Sequence, residues 1–227
     1  MNKTSIEWTD YTWNPVTGCL NDCPYCYARR FAERGLGEYG KHPKGERFKP
    51  RIHVERLLEP AKLKKPSKIF VCSMGELFGD WISNDHISEI LDAMGKAPQH
   101  TYQILTKNPE RMSGWRFGEN VWAGSTITNE FDLECRIDYQ PLETGLNFVS
   151  FEPLLGPVDL SWVAGGIDWV IIGRMTGPGS DKYIPDMEWV ANIKNWCDEH
   201  EIPVFIKDNL GWWSRYQKFP RAREKSR

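Results

Sequence analysis

The sequence predicts an α/β fold in which parallel strands form either an open sheet or a full or partial barrel. Short, nearly continuous apolar runs recur along the chain, and such runs are typical of strands that are buried on both faces. Segments with helical periodicity separate these runs, and this alternation favours a parallel sheet. The length of 227 residues lies within the range of single α/β barrels, so we expect one domain over residues 1–227.

Six apolar runs are the predicted strands, and each is rich in β-branched or aromatic residues. They cover residues 68–73, 102–106, 120–125, 147–152, 168–173 and 203–207. A weaker run at residues 11–14 predicts one extra strand ahead of them.

Helices are predicted between the strands from the spacing of apolar residues. In residues 84–97, four apolar side chains from Ile87 to Met94 stand at i, i+3, i+4 and i+7, which places them on one helical face. The other predicted helices cover residues 25–34, 130–139 and 186–199.

Composition and charge exclude some classes of protein. No apolar run approaches the ~20 residues of a membrane span, and the N-terminus lacks the apolar stretch of a signal peptide. We therefore expect a cytoplasmic protein without a membrane partner. The net charge of −2 does not by itself indicate a nucleic-acid-binding protein.

Two basic segments stand out against this modest net charge. A loop over about 36–53 contains residues 41–51, which carry five Lys or Arg and one Glu, and a tail covers about 214–227. Either could contact phosphates, and a solvated loop and a frayed terminus are the alternative interpretations. The adjacent Trp212 and Trp213 could stack on bases or on an adenine, or they could be large core or rim residues.

Polar residues recur directly after the predicted strands. Because ligands of βα folds bind at the carboxyl ends of the strands, these residues predict one shared site. Helix caps and turn residues also follow strands, and this alternative fits the Ser and Thr residues better than the charged ones. The positions are residues 73–76, 106–107 and 125–126, Glu152, Arg174 and residues 207–209.

Cys19, Cys23 and Cys26 form a C-x3-C-x2-C motif. Three thiolates on a short loop can each bind one iron of a [4Fe–4S] cubane, which leaves the fourth iron open for S-adenosylmethionine (SAM). A structural zinc site needs four ligands, usually in two pairs, and the sequence has no second pair. A thioredoxin-like CxxC would leave Cys19 unexplained. The motif therefore favours an iron–sulfur cluster.

This motif resembles the signature of the radical SAM superfamily, CxxxCx(aromatic)C, with Tyr25 at the aromatic position. The resemblance implies a partial (β/α)6 barrel, a [4Fe–4S] cluster and SAM as cofactors, and a reductant such as flavodoxin or ferredoxin. It also implies that SAM is cleaved to a 5′-deoxyadenosyl radical, which abstracts hydrogen from the substrate. Tyr25 would then lie against the adenine of SAM.

The same resemblance implies roles for residues that follow the strands. The turn at residues 73–76 partly matches a Gly-Gly-Glu-like turn that binds the SAM amino group. Ser73, Gly75 and Glu76 would therefore contact SAM, with Gly75 allowing close approach of the backbone. The SAM carboxylate and ribose would be held by polar residues after the next two strands. These are Thr106, Lys107, Ser125 and Thr126, of which Lys107 is the best carboxylate partner by charge.

Longer phrases resemble one branch of the superfamily. They lie at residues 6–19, 97–112, 148–160 and 168–179. The branch is a family of small phage and prophage-associated proteins, distantly similar to spore photoproduct lyase, a radical SAM enzyme that repairs DNA. Many members read Gly-Gly-Glu-Ser-Gly-Pro-Gly where this chain has Gly-Arg-Met-Thr-Gly-Pro-Gly, so an acid is lost and Arg174 is gained. Residues 207–211 also depart from the usual Lys-Gln-Trp-Gly.

Four residues are expected to act on the substrate. Arg174 or Lys207 would bind a carboxylate or phosphate. Glu152 would hold the substrate or the SAM ribose, and a structural carboxylate is its alternative. Cys72 would donate a hydrogen atom to a product radical, and a small buried core thiol is its alternative.

The expected substrate is a phage nucleobase, nucleotide or DNA, for example an amino-acid-modified thymidine that undergoes isomerisation. The phage association and the relation to a DNA repair enzyme favour this hypothesis. A radical SAM enzyme acting on a small metabolite or peptide is the second hypothesis. A non-enzymatic iron–sulfur or zinc protein is the third.

Overall fold

The computed structural model describes residues 1–137, 144–163 and 165–220 of the chain. The chain divides into two compact units, Met1–Thr106 and Lys107–Arg227. Each unit contains four neighbouring strands that are mostly parallel, which confirms the α/β fold. The single domain over residues 1–227 stays a prediction. No helix within the described ranges is long and apolar enough to cross a membrane.

The first unit is a sheet of one antiparallel and three parallel strands, with helices in its connections. Its elements are β1 (Asn2–Lys3), β2 (Tyr11–Trp13), β3 (Val16–Thr17), α1 (Tyr27–Glu33), β4 (Arg51–Ile52), α2 (Glu59–Lys62), β5 (Lys68–Val71), α3 (Asn84–Gly95) and β6 (Thr101–Thr106). Strands β2, β5 and β6 are parallel in that order, and β1 pairs antiparallel with β2. Strands β3 and β4 form a separate antiparallel pair.

Helix α3 shows why the sequence pattern of the first unit produces this arrangement. Ser83 occupies the N-cap, and its side chain accepts a hydrogen bond from the backbone of His86, which satisfies one of the free N–H groups of the first turn. The predicted apolar face is confirmed, because Ile87, Ile90 and Met94 are buried.

The second unit is a run of parallel strands with helices between them. Its elements are α4 (Pro109–Ser113), β7 (Val121–Thr126), α5 (Glu130–Arg136), β8 (Leu146–Phe151), β9 (Trp169–Ile172), α6 (Met187–Glu199) and β10 (Val204–Ile206). Strands β7, β8, β9 and β10 are parallel neighbours in that order.

Helix α6 covers one face of this second sheet. Asp186 caps its N-terminus, and Val190 and Ile193 are buried in the same cluster as Val149 of β8 and Ile172 of β9. Burying the apolar stripe of a helix against an apolar sheet face removes both surfaces from water, which stabilises the unit.

The predicted strands are all present, with differences at their ends. The first of the six ends at Val71, because Cys72 adopts a φ of 59° and leaves the strand direction. The helix predicted at 25–34 begins at Tyr27, because Cys26 is its N-cap. The helix predicted at 130–139 is described as far as Arg136, and residues 138 and 139 lie outside the described residues. The short elements β1, β3, β4, α2 and α4 were not predicted, because segments of two to five residues without a strong apolar run show no periodicity.

Candidate functional site

The three cysteines lie on the loop of the first unit that joins β3 to α1. Cys19, Cys23 and Cys26 are all free thiols and all partly exposed. The sulfur of Cys26 accepts a hydrogen bond from the backbone N–H of Arg29, 3.3 Å away, so this residue also caps α1. The loop therefore presents three thiols within eight residues at the start of a helix.

Two glycines hold this loop against the turn that follows β5. The N–H of Gly18 donates to the carbonyl of Met74 at 2.8 Å, and Gly18 and Gly75 form a parallel bridge. Gly18 has a φ of +83°, and a Cβ there would lie 2.2 Å from the carbonyl oxygen of Lys49. A Cβ on Gly75 would lie 2.9 Å from the carbonyl oxygen of Val16. The close approach of the two backbones therefore requires glycine at both positions.

Two arginines of α1 bind the cysteine loop through an ion pair and hydrogen bonds. The Arg29 guanidinium pairs with Asp22 at 2.9 Å and donates to the carbonyl of Cys19 at 3.2 Å. The Arg30 guanidinium donates to the carbonyl of Tyr25 at 3.0 Å. Sequence reasoning missed both residues, although the Tyr-Ala-Arg-Arg that follows the motif sets two cations one helical turn beyond it.

The environment of Cys19 opposes its ionisation. Burial is the main cause that raises the pKa of the Cys19 thiol to about 11; the charges of Glu76, Cys26 and Cys23 act in the same direction, and the hydrogen bond from the N–H of Asn21 acts against them. A bound cation would reverse this balance, because metal ions favour the thiolate.

The donor set of the loop fits a cubane cluster. Within the described ranges, no three His, Cys, Asp or Glu side chains are arranged to bind one metal ion. The sulfurs that hold a cubane each bind a different iron, so they stand further apart than the ligands of a single ion. Three partly exposed thiols on one short loop, with no fourth cysteine nearby in sequence, match that requirement.

The turn after β5 brings several predicted residues to the cysteine loop. The side-chain oxygen of Asn14 accepts hydrogen bonds from the N–H of Met74 at 2.9 Å and from the hydroxyl of Ser73 at 3.2 Å. The hydroxyl of Tyr27 donates to the carbonyl of Ser73 at 2.5 Å. Asn14 and Tyr27 were not predicted as site residues, because Asn14 was placed inside the weak strand over 11–14 and Tyr27 inside the helix over 25–34; in the structure Asn14 directly follows β2.

Glu76 and Thr106 were predicted separately, and the structure brings them together. Glu76 is 5% exposed, and its Oε1 accepts hydrogen bonds from the Thr106 hydroxyl at 2.7 Å and from the N–H of Phe78 at 3.1 Å. A buried carboxylate with these donors is fixed in position. Cys72, four residues earlier, is buried, and burial raises the pKa of its thiol to about 12.

A cavity of about 690 Å³ opens in the first unit beside this turn. Asn14, Tyr27, Ser73 and Met74 line it, together with the N-terminal segment. Its volume lies within the roughly 300–1,000 Å³ that is usual for small-molecule and cofactor sites. The first unit therefore has room for a ligand next to the cysteine loop.

The basic loop of the first unit is folded on itself. The Arg47 guanidinium donates to the carbonyls of Glu33 and His42, and the Arg51 guanidinium donates to the carbonyl of Glu46 at 2.7 Å. These bonds order the loop, and they direct two of its five cations toward the protein backbone.

Three predicted residues of the second unit lie at the ends of β6 and β7. Lys107 follows β6 directly and is partly exposed. Ser125 and Thr126 are buried neighbours in β7, so their side chains point to opposite faces. Ser125 pairs with Val149, which belongs to the cluster under α6, so Ser125 faces the helix side and Thr126 faces the other side.

Glu152 and Lys207 form an ion pair across the end of β9. Their side chains are 24% and 13% exposed. A Cβ on Gly173 would lie 2.9 Å from Lys207 Cδ and 3.1 Å from Glu152 Cδ, so the pair occupies the space that a side chain would take there. Two predicted residues that are 55 positions apart in sequence are therefore in direct contact.

Arg174 is held through its backbone by Asn209. The N–H of Arg174 donates to Asn209 Oδ1 at 3.3 Å, and Asn209 Nδ2 donates to the Arg174 carbonyl at 3.2 Å. Its Nε atom is buried and has no hydrogen-bond partner among the described residues. A buried donor without a partner is costly, and a bound carboxylate or phosphate would satisfy it.

Comparison with known proteins gives a family and a fold. A family model described as a protein of unknown function, DUF5131, matches residues 3–227. A mutant of spore photoproduct lyase with bound AdoMet and a dinucleoside spore photoproduct has a similar structure, with a TM-score of 0.60, 8% identity, and coverage of 90% of this chain and 78% of that chain. A second mutant of the lyase has a TM-score of 0.49 at 11% identity and covers 87% and 54% of the two chains. No curated protein matches the sequence. The fold is thus shared with a radical SAM enzyme, which confirms the predicted fold class.

Proposed function

The chain belongs to the DUF5131 family of proteins of unknown function, and from that premise we propose that it is a radical SAM enzyme. The observation that carries the proposal is the cysteine loop. Cys19, Cys23 and Cys26 lie on one loop that two glycines hold against a turn with a buried carboxylate. A fold shared with an AdoMet-binding lyase supports it.

The three cysteines would hold a [4Fe–4S] cluster through their thiolates. When bound, such a cluster supplies the electron that cleaves SAM to methionine and a 5′-deoxyadenosyl radical. The protein orients SAM and excludes water from it. A flavodoxin or ferredoxin of the cytoplasm is the class of electron donor that we propose.

The first unit would bind the methionine part and the adenine of SAM. The fixed carboxylate of Glu76 and the carbonyl groups of the turn at 73–75 would accept hydrogen bonds from the SAM ammonium. Thr106 orients Glu76 through their 2.7 Å hydrogen bond. Tyr25, whose carbonyl accepts from Arg30, would lie against the adenine. In the second unit, Lys107 stays the predicted partner of the SAM carboxylate, and Thr126 is a better candidate than Ser125 for the ribose, because Ser125 faces the helix side.

The second unit would bind the substrate through its cations. Arg174 is the better candidate for an anionic group, because its buried Nε has no hydrogen-bond partner among the described residues, whereas Lys207 already pairs with Glu152. We propose a nucleobase, nucleotide or DNA substrate that bears a carboxylate or phosphate, such as an amino-acid-modified thymidine of phage DNA. Hydrogen abstraction from such a substituent, followed by radical rearrangement, would make the enzyme an isomerase. Cys72 stays the predicted hydrogen-atom donor to the product radical, and the thiyl radical that it would become regains an electron from the flavodoxin or ferredoxin and a proton from water.

A single reaction tests the radical activity. The protein is reconstituted anaerobically with iron and sulfide, reduced and given SAM, and 5′-deoxyadenosine is measured. We expect product from the wild type and from Cys135→Ala, which removes an exposed cysteine of α5 outside the loop. We expect none from Cys23→Ala. Product from Cys23→Ala at the wild-type rate, or none from the wild type, would exclude the radical mechanism.

A further inference from the structure

Two adjacent tryptophans in the second unit present an aromatic face to solvent. The rings of Trp212 and Trp213 are stacked, with centroids 3.7 Å apart and planes at 29°. Trp212 is partly buried and packs against the core cluster under α6. Trp213 is 76% exposed, which makes it the most exposed large apolar side chain in the described part of the chain.

This stacking determines which surface of Trp213 is available. One face of its ring covers Trp212, so the opposite face and the edges account for the exposed area. A large indole that is exposed to water is unfavourable. An aromatic side chain removes roughly 150–250 Å² of surface from water when a ligand covers it. Its neighbour is anchored in the core, so the exposed ring stands on a fixed support.

The surroundings of the pair are suited to a nucleotide. A cavity of about 240 Å³ is lined by Lys207, Asp208, Trp212 and Arg215. Asp208 is the acid of this set, and its Oδ1 accepts a hydrogen bond from Gln217 at 2.9 Å. The cavity borders Trp212, which supports Trp213, so Lys207 and Arg215 lie beside the stacked pair.

Charge near the pair complements a phosphate backbone. Arg215 is exposed, and its Nε donates to Gln217 at 2.7 Å, which directs the guanidinium along the surface. The chain then continues into residues 218–227, which carry five Lys or Arg and one Glu. Residues 221–227, most of the predicted basic tail, lie outside the described residues. An exposed aromatic ring with an exposed arginine two residues away is a combination that suits single-stranded nucleic acids.

We infer that Trp213 is a stacking platform for an unpaired nucleobase of DNA, and that Arg215 contacts the adjacent phosphate. The inference rests on the proposed function in taking DNA as the substrate. The base that stacks on Trp213 is a neighbour of the reacting nucleotide, because Trp212, which supports Trp213, borders the same cavity as Lys207, and Lys207 also belongs to the ion pair at the strand end. The platform therefore positions the strand, and the chemistry occurs elsewhere.

The first test measures binding of a fluorescein-labelled single-stranded oligonucleotide to the reconstituted protein by anisotropy at fixed salt. Loss of one stacked base costs about 1–3 kcal/mol, so Trp213→Ala should weaken binding by about 5- to 150-fold. Trp213→Phe should recover most of the affinity. Phe131→Ala, which removes a 71% exposed ring from α5, is the matched control and should bind like the wild type.

Two further arms separate stacking from charge. An abasic oligonucleotide should bind the wild type as weakly as the normal oligonucleotide binds Trp213→Ala. The affinity of Trp213→Ala should be the same for the abasic and the normal oligonucleotide. Arg215→Gln should lower the slope of log K against log salt by about one, whereas Trp213→Ala should leave the slope unchanged.

The outcomes are distinguishable from those of the radical assay. Wild-type affinity in Trp213→Ala, or an equal loss in Phe131→Ala, overturns the platform. A wild type that makes 5′-deoxyadenosine while Trp213→Ala binds DNA normally overturns the platform alone. A wild type that makes no 5′-deoxyadenosine but depends on Trp213 for DNA binding overturns the radical function and leaves the platform standing.

Discussion

Gly75→Ala should loosen the cysteine loop from the turn that holds it. The added Cβ would lie 2.9 Å from the carbonyl oxygen of Val16 and 3.2 Å from the carbonyl oxygen of Gly18. Ordinary contacts begin at 3.4 Å, so the backbone at Val16 must retreat by about 0.5 Å. All of these neighbours are backbone atoms, which cannot rotate away as a flexible side chain would.

The expected magnitude follows from this overlap. Inserting a methyl group into a well-packed site costs about 1–3 kcal/mol, and in a chain of this size each kcal/mol lowers the midpoint of thermal unfolding by roughly 2–4 °C. The midpoint should therefore fall by about 2–12 °C. Iron retained per chain after reconstitution and desalting should fall as well, because Cys19 directly follows the displaced Gly18.

Gly95→Ala is the matched control for this substitution. A Cβ on Gly95, the last residue of α3, meets no atom within 4 Å. Alanine is favoured over glycine in helices by about 1 kcal/mol, so the midpoint should rise or stay level, and the iron content should not change. Thermal unfolding followed by circular dichroism and an iron assay measure both quantities. A Gly75→Ala protein with the wild-type midpoint and full iron content would refute the close-approach argument.

Two other predictions concern charged groups. Lys207→Met should lower the free energy of unfolding by about 1–3 kcal/mol, because Glu152 is left partly buried without its cation. Adding Glu152→Gln should restore most of this loss. Both effects are measured by denaturant titration, and no loss in Lys207→Met would contradict the pairing. In metal-free protein at pH 8, Cys19 should react with iodoacetamide about 100-fold more slowly in the folded than in the urea-unfolded chain, because burial raises its pKa from 9.0 to about 11 and lowers the thiolate fraction by that factor. The Cys19 rate should rise with pH until about 11, as followed by mass spectrometry, and a plateau near pH 9 would be inconsistent with its burial.

Strand and helix positions could be predicted because they depend on local pattern. The parallel strands are continuous apolar runs, and α3 and α6 carry apolar residues at helical spacing. Each of these elements can therefore be recognised from a short stretch of sequence. The ends were less certain. Cys72 leaves β5 through a left-handed conformation, which a Cys seldom adopts and which no propensity would indicate.

The partners of the site residues could not be predicted from the sequence. Asn14 binds the turn at Ser73 and Met74 across about 60 positions, and Arg29 and Arg30 reach back from α1 to the cysteine loop. The motif identified the thiols, but these contacts fix where the thiols stand. The choice between Ser125 and Thr126 likewise depends on which face of β7 each side chain occupies.

The sequence by itself determined the cysteine spacing, the order of strands and helices, and the set of polar residues at strand ends. These properties are local, since each depends on residues that are neighbours along the chain. The folded chain alone shows that Glu76 accepts a hydrogen bond from Thr106, that Glu152 pairs with Lys207, and that the exposed Trp213 stacks on a partly buried Trp212. Such contacts join distant segments, and their geometry is set by how strands align and helices pack rather than by the residues' own preferences.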